Sequence, residues 1–112
     1  MEKQNIKEYI LDLATECILH SENAYQPNPL IPVEDDMAFL FLNQAFYCAK
    51  KIQELYYFEY KNTSLRLFYT QFYNFNKTLV IHGVFSSNKK IKQEFERLKT
   101  IYLELKKELN EE

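Results

Sequence analysis

Two cysteines and two histidines, Cys17, His20, Cys48 and His82, are the residues of this chain whose types suit a zinc ion. Cys17 and His20, three apart, would share one face of a helix. The other two do not join them. If the chain turns back at Asn62 to Ser64, Cys48 lies about 13 residues before the turn and is level with a residue near Asn76, which leaves His82 ~9 Å further along. The thiols therefore read as ordinary buried cysteines of a reducing compartment, and the imidazoles as surface or helix-end groups. General acid–base chemistry has one local candidate, Glu16 with His20 a turn later, a pairing common on helix surfaces. Glu34, Asp35 and Asp36 cluster, but acids at a helix start account for them. A single glycine, Gly83, excludes a glycine-rich phosphate loop. There is no nucleophile elbow, no HExxH pair, and no inward set of Glu and ExxH residues as in di-iron bundles. The expectation is a non-enzyme with no catalytic residue, no cofactor and no metal; a metal-dependent bundle enzyme is the outlying alternative.

What must position these groups is one domain. At 112 residues the chain can bury roughly two-thirds of the surface its unfolded form exposes, so it needs no disulfide or metal to fold. Apolar residues make up 46% and charged ones 27%, a globular balance. A net charge of -2, with no concentrated excess of Lys and Arg, argues against a dedicated duplex-DNA binder. The longest apolar run, Met37 to Leu42, is far short of the ~20 residues of a membrane span, and the first residues carry acids, unlike a signal peptide. A cytoplasmic location is expected. The chain has nine Phe, nine Tyr, one Gly and no Trp, and it is rich in Ile, Asn and Lys. Residues with AT-rich codons thus dominate, so an AT-biased genome lowers the significance of aromatic abundance.

The apolar spacing predicts four helices. Ile6, Ile10, Leu13, Cys17 and Ile18 recur at helical intervals within a first helix over 5–24. Three prolines between Pro27 and Pro32 make 26–33 an extended connector, whose Leu30, Ile31 and Val33 are expected against the bundle end. Asp35 and Asp36 then open a second helix over 35–61, nearly 40 Å long at ~1.5 Å per residue. Its stripe Ala38, Leu42, Ala45, Ala49, Ile52 and Tyr56 is rich in small residues, which lets a neighbour approach closely. Asn62, Thr63 and Ser64 supply a break and a cap before a third helix over 64–82, with Leu65, Phe68, Phe72, Phe75 and Leu79 in its core seam. Gly83 is placed to end it in the left-handed conformation, although 78–85 also has high strand propensity. Ser86 to Asn88 precede a fourth helix over 87–110, with the regular repeat Ile91, Phe95, Leu98, Tyr102, Leu105 and Leu109. Lys90 with Glu94, and Lys92 with Glu96, mark its solvated face. Short connections between helices of similar length imply an all-α, antiparallel four-helix bundle.

Some apolar surface is left over. Phe39, Phe41 and Phe46 fall off the second helix's core stripe, so that helix is either central or covered by a partner. On the third helix, Arg66, Tyr69, Tyr73 and Lys77 form a stripe beside the phenylalanine seam. Three roles fit it: rings packed on a neighbouring helix with hydroxyls in water, a protein contact, or a platform stacking single-stranded nucleic acid. The charge balance weighs against the third. The seven residues Phe39, Phe41, Phe46, Arg66, Tyr69, Tyr73 and Lys77 are therefore expected to form a protein interface, and self-association is the first partner to suspect. Bacteriocin-immunity proteins, phage or plasmid accessory proteins and small stress regulators share this overall type, an analogy of fold that does not fix function.

Overall fold

The structure, a computed structural model, describes residues 3–25, 35–82 and 89–111. Four helices run α1 (Lys3–Ala24), α2 (Asp35–Phe58), α3 (Thr63–His82) and α4 (Lys89–Glu111), and among the described residues there is no strand. Their order and stripes are those the spacing predicts. Residues 78–82 are helical, whereas Gly83, the caps at 86–88 and the aliphatics at 30, 31 and 33 lie outside the described residues.

α2 ends three residues earlier than expected, at Phe58, and the hydrogen bonds show why. Glu59 and Tyr60 both donate their backbone N–H to the Leu55 carbonyl, at 2.9 and 2.7 Å, which closes the helix. Asn62 then opens α3: its side-chain oxygen accepts from the Leu65 N–H at 3.0 Å and its carbonyl from the Arg66 N–H at 3.1 Å. This is an N-cap, which satisfies a donor that the first turn of a helix leaves unpaired.

The helices form a ring in which each packs on its sequence neighbours and α1 closes onto α4; the diagonal pairs do not approach at the backbone. Neighbours run antiparallel. Going from Glu16 to His20 along α1, the α2 partners fall from Cys48 to Phe41. Between α3 and α4, Phe68 meets Tyr102 while Phe75 meets Phe95. Packing is closest between α1 and α2. Ala14 and Cys17 of α1 and Ala38, Ala45, Cys48 and Ala49 of α2 are all buried, and side chains this small let the two backbones come together. Bulkier rings keep α2 and α3 further apart.

The expected core seams are buried, with Ile6, Tyr56 and Tyr102 only partly so. Phe68, Phe72 and Phe75 are fully enclosed. Tyr25, just past α1, covers one end of the core by setting its ring edge against Phe75 and Phe95. Two polar contacts fix the register. The buried Gln71 amide donates to the Glu94 carbonyl at 2.9 Å and to its carboxylate at 2.7 Å, and Thr15 and Tyr102 share a hydroxyl hydrogen bond of 2.8 Å. Glu94 thus reaches toward α3, because a buried amide must find acceptors.

Candidate protein-interaction surface

In a ring of four helices none is central, so a helix apolar on several sides must leave one of them outward. On α2, Phe41 turns toward α1 and stacks on His20, with ring centroids 6.4 Å apart and planes 19° from parallel. Phe46 turns toward α3, its edge against Phe72 at 6.3 Å and its ring tilted over Tyr73 at 5.4 Å. Phe39, two turns before Phe46, lies on the same side. Both remain open to solvent, at 43% and 41% exposure. Between the two flanks, opposite the alanine stripe, Leu40 and Tyr47 point outward with 49% and 61% exposed. No described helix covers them.

The seven residues expected to form one interface are therefore divided. Arg66 and Lys77 are exposed on α3, and Tyr73 is half-buried, its hydroxyl donating to Gln53 Oε1 at 2.8 Å. Tyr69 does not belong to the surface: it is 5% exposed, with its ring 5.8 Å from that of Tyr56 and its phenol beside that of Tyr57. Burial first, and then Tyr57, raises its pKa, and only Arg66 opposes the rise. One residue off a core seam is far enough to be exposed on a lone helix, but α2 closes over that side. Leu40 and Tyr47 lie outside those seven residues. The available signal was charge, since no residue from Met37 to Ala49 carries one.

Charge is segregated around the ring. α4 alternates Lys with Glu along its length, while α3 carries only Arg66 and Lys77 as formal charges. The open apolar side chains of α2 thus face away from the charged half of the molecule, beside the charge-poor α3.

The chain matches no family model, no curated protein and no solved structure. Function must be read from its own groups.

The two thiols are packed between α1 and α2. Cys17, fully buried, donates weakly to the Ala45 carbonyl at 3.5 Å, and Cys48 to Glu16 Oε2 at 3.8 Å; neither forms a disulfide. Burial first, then the neighbouring Cys48, pushes the Cys17 pKa well up, with Ser21 a lesser opposing influence. The Ser21 hydroxyl is close enough to act on that thiol but does not make a hydrogen bond of good geometry. Cys48 is pushed up to about 11 by burial, then by the charge of Glu16 and the hydrogen bond to it. Burial thus favours the neutral thiol over the thiolate at both positions. Glu16 and His20 are also occupied apart, the first with Cys48 and the second against Phe41, its Nδ1 buried without a partner. Among the described residues no three of His, Cys, Asp and Glu gather to hold a metal ion, and no helix is long and apolar enough to cross a membrane.

Proposed function

We propose that this protein is non-enzymatic and acts by binding another protein through the outer face of α2. In type it would be a small regulator, inhibitor or accessory protein of a bacterium or its mobile elements. The observation that carries the reading is the run of open apolar side chains Phe39, Leu40, Phe46 and Tyr47 on a stretch without charge. Aromatic and aliphatic groups held on a rigid helix, with charge excluded from their midst, suit the centre of a protein interface. The alternative, stacking of single-stranded nucleic acid on Tyr69 and Tyr73, has less support. Tyr69 offers no free ring face, and the only cations on α3 are Arg66 and Lys77.

The test compares the wild-type chain with a Leu40→Glu, Tyr47→Glu double variant as bait in a lysate of the native host, with an untagged copy of the chain added. A protein retained by the wild type and lost from an equally helical, equally stable variant is the expected result. If nothing is retained in a face-dependent way, the untagged copy included, the proposal fails.

A further inference from the structure

We draw no further inference here: the strongest candidate, the open apolar face of α2 around Leu40 and Tyr47, belongs to the surface already described, and nothing in the structure shows what covers it.

Discussion

Two tyrosines of this chain, Tyr47 and Tyr69, make opposite predictions on truncation. Tyr69 is almost wholly enclosed between Tyr56 and Tyr73, whereas most of Tyr47 is in water with Lys51 Nζ 5.6 Å over its ring. An aromatic side chain buries ~150–250 Å², and at ~25 cal/mol per Å² the ring of Tyr69 is worth about 4–6 kcal/mol as an upper estimate. The Cβ that alanine keeps reduces this, and the cavity left behind adds to it, so Tyr69→Ala should cost ~3–4 kcal/mol. Tyr47→Ala removes a mostly solvated ring and an exposed cation–π contact, and should cost at most ~1 kcal/mol. The assay is urea unfolding at low protein concentration, where self-association contributes little to stability. Tyr69→Ala should lower the midpoint by about 2 M with an unchanged m-value. Equal costs for the two variants, or a larger cost for Tyr47→Ala, would refute the assignment of Tyr69 to the core and reopen it as a surface residue.

Two further outcomes are expected. Asn62→Ala removes the side-chain acceptor of the Leu65 N–H and should destabilise by ~1 kcal/mol, while Asn62→Asp keeps the cap and most of the stability, as thermal melts of the two would show. Folding raises the Cys48 thiol from 9.0 to about 11, so the native chain holds this proton more tightly than the unfolded one. Its contribution is intact below about pH 9 and is lost as the pH rises toward about 11. Cys17, Tyr25 and Tyr73, raised first by burial, act in the same direction. Unfolding midpoints across that range should fall, and fall less in Cys48→Ala; a level profile, or an unaltered slope in the variant, contradicts the placement of the thiol.

Periodicity made the helices legible, because a seam at intervals of three and four has one consistent inward direction. Leu65, Phe68, Phe72, Phe75 and Leu79 illustrate this, as all five are fully buried. A cap is equally local: Asn62, Thr63 and Ser64 all qualify by type, and the hydrogen bond to the Leu65 N–H selects Asn62. The candidate surface was less legible. Phe39, Phe41 and Phe46 could be recognised as surplus to α2's seam, but Phe41 turns to α1 while Phe39 and Phe46 lie on the opposite flank, and nothing in the spacing says which neighbour lies on which flank.

The sequence by itself determined where the helices run, which stripe of each faces inward, and that Met37 to Ala49 is free of charge; these follow from residue type and the 3.6-residue period of one helix. Only the tertiary structure decided that Tyr69 is covered by Tyr56 and Tyr57 while Tyr73 stays half-open, and that Leu40 and Tyr47, not the phenylalanines alone, form the outer face of α2. Those outcomes depend on the ring order of the helices and on how closely each pair packs. The alanines and cysteines between α1 and α2, and the large rings between α2 and α3, set those distances together, and no single helix carries that information.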